Sequence, residues 1–195
     1  MIIVVDNTKN LSKAFMTPKL LECLDKKNID YTVVENCDQI IDIMNNNNIS
    51  GAILSGGPMS IAEEIKLSSI NKNIMLLLGL DKPILGICFG LQIIGSCYGG
   101  SVDHMKMEKQ ENTVIQKVNK SVLFDGITTQ EFTAFRYHKD YLSSVPPNFK
   151  VTSKSKDNII QSIENKKLKR YAVQFHPEGM ESSHKIIYNF LKLCE

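Results

Sequence analysis

The first half of the chain alternates between short apolar runs and segments with helical spacing of apolar residues. Unbroken aliphatic or β-branched runs lie at Ile2–Val5, Tyr31–Val34, Gly51–Leu54 and Pro83–Ile87. Such runs are typical of parallel strands that are buried on both faces. Helical spacing predicts helices over Pro18–Lys27, Ile40–Met44, Ser60–Ser69, Ile70–Leu80 and Leu91–Tyr98. This alternation predicts a parallel sheet with helices on both of its faces.

The second half of the chain has a different pattern. Thr113–Val118 alternates between polar and apolar positions, and Val151–Ser155 with Ile159–Ile163 predicts a hairpin. Tyr171–Phe175 is a further predicted strand, and Ser182–Leu193 is a predicted amphipathic helix. We therefore expect an α/β fold with one open, mixed, mostly parallel sheet that is flanked by antiparallel strands. No repeat or break in composition divides the chain, so residues 1–195 are expected to form a single domain.

Composition places the chain among ordinary folded proteins. It has 195 residues, of which 43% are apolar and 23% are charged. No apolar run approaches the roughly 20 residues that cross a bilayer, and Met1–Asp6 lacks the basic segment of a secretion signal. The net charge of +2 is scattered, which gives no reason to expect nucleic acid as a partner. The one dense basic cluster, Lys166, Lys167, Lys169 and Arg170, is interpreted as a solvated turn before a strand.

The cysteine pattern favours a reducing compartment. The five cysteines, Cys23, Cys37, Cys88, Cys97 and Cys194, are widely spaced and form no Cys-x-x-Cys pair. We therefore expect neither a zinc site nor a redox pair. A metal site at His104 is also not expected, because it lacks ligand spacing to the other histidines. These features favour the cytoplasm.

Gly86-Ile87-Cys88-Phe89-Gly90 carries the clearest chemical signal. It lies between an apolar strand and a helix, the context in which a nucleophile occupies a sharp turn. Glycines two residues before and after Cys88 leave room for that turn. The positive end of the helix dipole favours a thiolate, and the Phe89 amide can point at a developing oxyanion. The alternative interpretation is a buried cysteine in a glycine-containing turn.

A base for this thiol is predicted at His176, just after the strand Tyr171–Phe175. Open α/β folds place their sites at this carboxyl edge of the sheet. Pro177 keeps His176 extended. Since residues two apart in an extended chain face the same way, we expect Glu178 to reach the imidazole. Alone, His176 and Glu178 would be a surface pair beside a turn; with the Cys88 segment they predict a nucleophile, a base and an orienting acid.

Ser55-Gly56-Gly57-Pro58 follows the predicted strand Gly51–Leu54. Two glycines at the end of a strand let backbone amides approach a ligand, so this segment is a second candidate oxyanion donor. It is also an ordinary turn sequence. It is not a phosphate-binding P-loop, because no Gly-Lys-Ser/Thr follows.

In this order along the chain, the three motifs resemble those of the class I, triad-type glutamine amidotransferases. The resemblance also includes Gln92 and Gly99-Gly100, and it extends over about Met1 to Glu181. It implies a flavodoxin-like fold of three layers. It also implies a catalytic triad of Cys88, His176 and Glu178, and oxyanion amides from Gly57 and Phe89. The residues implied to bind substrate are Gly56, Gln92, His138 and Asp140.

Within that family the chain is most similar to the amidotransferase component of two-chain GMP synthetases. Ser55–Pro58, Asp6-Asn7 and Tyr137–Asp140 resemble that group. Arg136-Tyr137-His138 instead resembles the anthranilate synthase group. The Gly-Gln-Tyr and Glu-Tyr-Gly elements of GMP synthetases are absent, and Phe89 stands where Leu, Met or Tyr is more familiar.

The resemblance implies that the chain hydrolyses L-glutamine through a Cys88 thioester and passes ammonia to a separate subunit. That partner would be an ATP-pyrophosphatase that aminates XMP to GMP in a heterodimer. ATP and Mg²⁺ would bind to the partner, and no cofactor is expected in this chain, which has no ATP-pyrophosphatase P-loop. Three alternatives stay open: a glutaminase subunit of anthranilate or aminodeoxychorismate synthase, a stand-alone γ-glutamyl hydrolase or peptidase, and a non-catalytic binding module.

Four residues outside the motifs are also given a position. His184 is expected to face solvent on the terminal helix, and Cys97 to be packed on the helix that follows Cys88. Met105 and Met107 are expected on a strand or loop near the site.

Overall fold

A computed structural model describes residues 1–8, 14–35, 39–46, 48–62 and 72–195. The strands in these ranges are β1 (Ile2–Val5), β2 (Tyr31–Val34), β3 (Gly51–Leu54), β4 (Ile84–Ile87), β5 (Ser101–Lys117), β6 (Glu131–Ser144), β7 (Lys150–Ser155), β8 (Ile160–Asn165) and β9 (Arg170–Val173). The α-helices are α1 (Thr17–Asp25), α2 (Gln39–Asn46), α3 (Lys72–Leu78), α4 (Phe89–Cys97) and α5 (His184–Leu191).

The described strands form one sheet in the order β2-β1-β3-β4-β9-β8-β7-β5-β6. The first five strands in this order are parallel, and each later strand is antiparallel to its neighbour. The parallel half has the strand order of flavodoxin-like folds, in which ligands bind at the carboxyl ends of the strands. The expected α/β fold with a mixed sheet is confirmed.

Apolar side chains cover both faces of the sheet. One core contains Leu20 and Leu24 of α1 with Ile186 and Phe190 of α5. The other core contains side chains of α2, α3 and α4, represented by Ile40, Leu77 and Ile94. Successive residues of β1 alternate between the two cores, which explains its unbroken apolar run. The predicted helices on both faces are confirmed.

Strand β6 was not predicted. Its buried positions are Ala134, Arg136, His138, Asp140 and Leu142, which alternate with more exposed residues. Three of these five inward-facing residues are polar or charged. The side chains therefore alternate between buried and exposed along β6, but apolar and polar residues do not alternate in the sequence. β5 is also longer than the predicted segment Thr113–Val118. The helix predicted over Ser60–Ser69 lies largely outside the described residues.

The basic cluster near residue 170 is partly buried, which corrects the prediction of a solvated turn. Lys166–Lys169 do form a turn, but Arg170 begins β9 and is 3% exposed. Its guanidinium donates hydrogen bonds to backbone carbonyls that include Leu80 at 2.6 Å and Lys82 at 2.8 Å. Arg170 therefore ties the loop after α3 to the sheet. In the described part of the chain, no helix is long and apolar enough to cross a membrane.

Candidate active site

A cavity of about 630 Å³ opens at the carboxyl edge of the parallel strands. Its lining combines residues that follow β3, β4 and β9 with residues of α4, β5 and β6. The predicted site residues in this lining are Gly56, Gly57, Cys88, Gln92, His138, Asp140 and His176. The structure therefore brings together segments that are up to 120 positions apart in the sequence.

Cys88 occupies a sharp turn between β4 and α4. Its φ of 53° lies in the left-handed region, which is uncommon for a residue with a side chain. A Cβ atom at Gly86 would lie 2.4 Å from the Gly90 carbonyl oxygen, and one at Gly90 would lie 2.3 Å from the Leu54 carbonyl oxygen. Both positions therefore require glycine, because the neighbouring backbone leaves no room for a Cβ atom. The Cys88 side chain is 5% exposed and forms part of the cavity wall.

His176 and Glu178 are in direct contact. Nδ1 of His176 lies 2.7 Å from Oε1 of Glu178, and both residues are 3% exposed. His176 is extended, as predicted, and its amide donates to the Phe135 carbonyl of β6 at 2.7 Å. Glu178 lies in a short 3-10 turn, Pro177–Gly179, rather than in an extended chain. The predicted contact is thus present, but the turn and not an extended backbone brings it about.

The pKa of His176 reflects opposing effects. Burial lowers it, but the charges of Glu178 and Cys88 and hydrogen bonds to both residues raise it more, to about 10. A protonated imidazole beside the Cys88 sulfur is therefore the favoured state at neutral pH. Because Nδ1 is occupied by Glu178, Nε2 is the ring nitrogen left for Cys88.

The loop after β3 passes close to this pair. A Cβ atom at Gly56 would lie 2.8 Å from Cε1 of His176 and 3.5 Å from Cβ of Cys88. Only a glycine permits this approach. Within the described part of the chain, neither the Gly57 amide nor the Phe89 amide donates a hydrogen bond to a protein acceptor. Gly57 belongs to the cavity lining, whereas Phe89, which follows Cys88, is 2% exposed and does not.

Strand β6 forms the opposite wall of the cavity. Nε2 of Gln92 donates to the Asp140 carbonyl at 3.1 Å, and Nδ1 of His138 donates to the same carbonyl at 2.9 Å. Burial lowers the pKa of His138 to about 4, with smaller lowering from the charges of Arg136 and His176. The ring is therefore neutral at pH 7. Its Nε2 is a buried acceptor that has no partner among the described residues.

Asp140 contacts protein groups rather than open solvent. Its Oδ2 accepts hydrogen bonds from Ser60 Oγ at 2.6 Å and from the Ala62 amide at 3.2 Å. Its Oδ1 lies 2.7 Å from Nδ1 of His104 on β5. Asp140 therefore holds the far end of the loop that begins at Ser55. His104 was not expected at the site, and no sequence signal linked it to Asp140 across a bulged pair of strands.

Some residues outside the motifs lie where the sequence predicts, and one does not. His184 is half-buried, with Nε2 3.3 Å from the Glu178 carbonyl oxygen, so its expected solvent-facing position is wrong. Cys97 is half-buried at the end of α4, and burial raises the pKa of its thiol to about 11. Met105 and Met107 were expected on a strand or a loop, and they lie on strand β5. Arg136 is buried in an ion pair with Glu111 at 2.6 Å.

The described residues contain no cluster of three or more His, Cys, Asp or Glu that could hold a metal ion. The cavity lining includes the Cys88 thiol, three imidazoles, the Gln92 amide and the backbone of Gly56 and Gly57, together with Glu108, Lys139 and Asp140. This set is suited to acyl transfer, in which a nucleophile, a base and oxyanion donors act on a carbonyl carbon.

The fold and the site define a class of protein. The chain belongs to the class-I glutamine amidotransferase family, whose model matches residues 4–194. Among its relatives, a subunit of the glutamine-hydrolysing GMP synthase of Methanocaldococcus jannaschii is 30% identical, and the match covers 100% of this chain and 97% of that protein. The glutamine-hydrolysing GMP synthase of Petrotoga mobilis is 36% identical over 88% of this chain, which spans about a third (33%) of the length of that protein.

A solved structure gives the same picture. The crystal structure of a candidate GMP synthase subunit from Thermoplasma acidophilum superposes with a TM-score of 0.82 and 31% sequence identity. The match covers 99% of this chain and 92% of that one. The resemblance inferred from the motifs is therefore confirmed at the level of the family.

Proposed function

We propose that this protein is the glutamine-hydrolysing subunit of a GMP synthetase. The observation that carries the proposal is the position of buried Cys88 beside His176, whose Nδ1 is held by Glu178, in a cavity that Gly57 also lines. The proposal is supported by relatives named as one subunit of a glutamine-hydrolysing GMP synthase, which match most of this chain.

The proposed reaction begins with attack by the Cys88 thiolate on the side-chain carboxamide carbon of glutamine. The amides of Gly57 and Phe89 donate to the oxyanion that forms. The carbon–nitrogen bond then breaks, and His176 gives its proton to the leaving nitrogen, which departs as ammonia. His176 can donate this proton at neutral pH, because its pKa is raised to about 10 and the imidazole is therefore protonated.

The second half-reaction releases glutamate. His176, now neutral, takes a proton from water, and the resulting hydroxide attacks the thioester carbon. The carbon–sulfur bond breaks, which restores the thiolate and the protonated imidazole. Glu178 keeps the ring in one tautomer during both steps, because its carboxylate accepts a hydrogen bond from the Nδ1–H group.

Substrate binding is assigned to the walls of the same cavity. Gly56 permits close approach beside Cys88, and Gln92 and His138 lie on the α4 and β6 side. Neutral His138 presents an unpartnered acceptor, which suits an N–H donor of glutamine. Asp140 contributes by shaping the cavity, since its carboxylate already contacts three protein groups.

The ammonia acceptor in this proposal is a separate ATP-pyrophosphatase subunit that aminates XMP to GMP. ATP and Mg²⁺ belong to that subunit. The motifs of this chain resemble the two-chain GMP synthetases, and relatives whose names specify one subunit of the enzyme imply a further one. We place the complex in the cytoplasm, which agrees with the free state of the four described cysteines.

The test is a glutaminase assay of the chain alone and with an ATP-pyrophosphatase subunit, ATP and XMP. We expect glutamate release that the XMP-loaded partner stimulates and that Cys88→Ala abolishes. Cys97→Ala is the matched control, because Cys97 lies outside the cavity lining, and we expect it to keep activity. Stimulation by a chorismate-binding partner instead, or γ-glutamyl hydrolysis without a partner, would contradict the assignment.

A further inference from the structure

The loop that carries the Gly57 amide is held from the end of the neighbouring strand. β1 pairs with β3 in parallel, with Val5 opposite Leu54. The Ser55 amide extends this ladder by donating to the Val5 carbonyl at 3.0 Å. Beyond this bond both segments leave the sheet. There the two segments are connected by hydrogen bonds from Asn7 to Ser55.

Asn7 contacts both polar groups of Ser55. Its backbone N–H donates to Ser55 Oγ at 3.0 Å, and its side-chain Nδ2 donates to the Ser55 carbonyl at 2.7 Å. Asn7 is 5% exposed and Ser55 is 2% exposed. Hydrogen bonds in such buried surroundings are stronger than in water, and a buried polar group that loses its partner destabilises the protein. Ser55 is therefore held firmly.

Ser55 in turn holds the peptide unit between Gly56 and Gly57 by a hydrogen bond. Its hydroxyl, which accepts from Asn7, donates to the Gly56 carbonyl at 2.8 Å. That carbonyl and the Gly57 N–H belong to one planar peptide unit, which is trans. In a trans peptide the C=O and N–H groups point in opposite directions. Fixing the Gly56 carbonyl therefore fixes the direction of the Gly57 N–H.

The two glycines have little room to move. A Cβ atom at Gly57 would lie 2.7 Å from the Asn7 carbonyl oxygen, while Gly56 lies against His176 and Cys88. The loop is thus enclosed between Asn7 on one side and the reacting pair on the other. We infer that Asn7 and Ser55 are positioning residues that aim the Gly57 amide at the oxyanion. This inference rests on the proposed glutaminase function.

The variant Ser55→Ala tests the inference, because it removes the hydroxyl that connects Asn7 to the Gly56 carbonyl. We expect kcat for glutamine hydrolysis to fall about 10- to 100-fold, since loss of a whole oxyanion donor costs about 10²–10³. KM for glutamine and the pH profile should stay near those of the wild type, because the donor acts in the transition state. Ser55→Thr keeps the hydroxyl and should retain most of kcat.

A second variant and a control complete the experiment. Asn7→Asp replaces the Nδ2 donor by an oxygen that faces the Ser55 carbonyl, so it should lower kcat in the same way. Ser153→Ala is the matched control: it also removes a buried serine hydroxyl, which bonds Ser162 Oγ at 2.6 Å in the β7–β8 hairpin. It should leave kcat unchanged. All variants are compared by urea unfolding.

Each outcome decides the matter. A wild-type chain without glutaminase activity, alone or with its partner, overturns the proposed function and this inference together. An active wild type whose Ser55→Ala and Asn7→Asp variants keep their kcat overturns the inference alone. A rise in KM with unchanged kcat assigns the loop to ground-state binding and also overturns it. If neither variant folds, Asn7 and Ser55 serve the fold, and the positioning role is rejected.

Discussion

Nδ1 of His176 and Oε1 of Glu178 are 2.7 Å apart in a buried part of the site. We predict that Glu178→Gln lowers kcat for glutamine hydrolysis by about 10²–10⁴, as the loss of an orienting carboxylate does in other triads. The amide no longer attracts the Nδ1 proton, so the ring loses its preferred tautomer. Steady-state kinetics measure the effect. Glu181→Gln, an exposed glutamate three residues later, is the control and should behave as wild type.

The raised pKa of His176 predicts a pH-dependent contribution to stability. Since its pKa is about 10 in the folded protein and 6.5 for the free side chain, protonation favours the folded state. This contribution is fully present below pH 6.5 and is lost as the pH rises through about 10. Urea unfolding should therefore show the largest difference between wild type and His176→Gln below pH 6.5, and the difference should shrink as the pH rises towards 10. A difference that stays constant up to pH 10 would contradict the raised pKa.

Close backbone packing at Gly90 predicts a severe effect of one added methyl group. A Cβ atom there would lie 2.3 Å from the Leu54 carbonyl oxygen, which cannot move without distorting β3. We expect Gly90→Ala to reduce the free energy of unfolding by about 2–4 kcal/mol. Gly79→Ala is the control, because its Cβ would meet nothing nearer than 3.2 Å. Equal unfolding midpoints for the two variants would contradict this account.

The contacts of Asp140 predict a combined loss of stability and substrate affinity. Asp140→Asn removes the negative charge that strengthens the hydrogen bonds from Ser60 and Ala62 and the contact with His104, and it places an NH₂ donor where one carboxylate oxygen stood. We expect a loss of about 1–3 kcal/mol in unfolding free energy and a higher KM for glutamine. Asp103→Asn makes the same change at an exposed position of β5 and should affect neither quantity.

The parallel half of the fold could be predicted because its chemistry is local. β4 is a short apolar run, and close backbone approach requires the glycines at 86 and 90, two residues before and two residues after Cys88. The Cys88 turn and the position of His176 at the end of β9 follow from such local rules. The prediction for Glu178 reached the right contact through the wrong backbone shape, because the conformation after Pro177 is decided by packing.

The β6 wall could not be predicted in the same way. Its inward-facing Arg136, His138 and Asp140 have a polar pattern that hides a buried strand. Their burial is stabilised by partners far away in the sequence, such as Glu111 for Arg136 and His104 for Asp140. Pairings of this kind depend on the register of a bulged hairpin, which a single sequence does not specify.

Strand β6 lies at the edge of the sheet, and a single bridge between Phe135 and His176 joins it to the end of β9. Cys88 and His176 follow strands that have neighbours on both sides, whereas His138 and Asp140 lie on a strand that is paired along one side. Edge ribbons open more readily than central strands. A protein or ligand that bends the β5–β6 ribbon therefore acts on both parts of the site. It shifts His138 and Asp140 directly, and it shifts His176 through the Phe135 carbonyl that accepts from its amide.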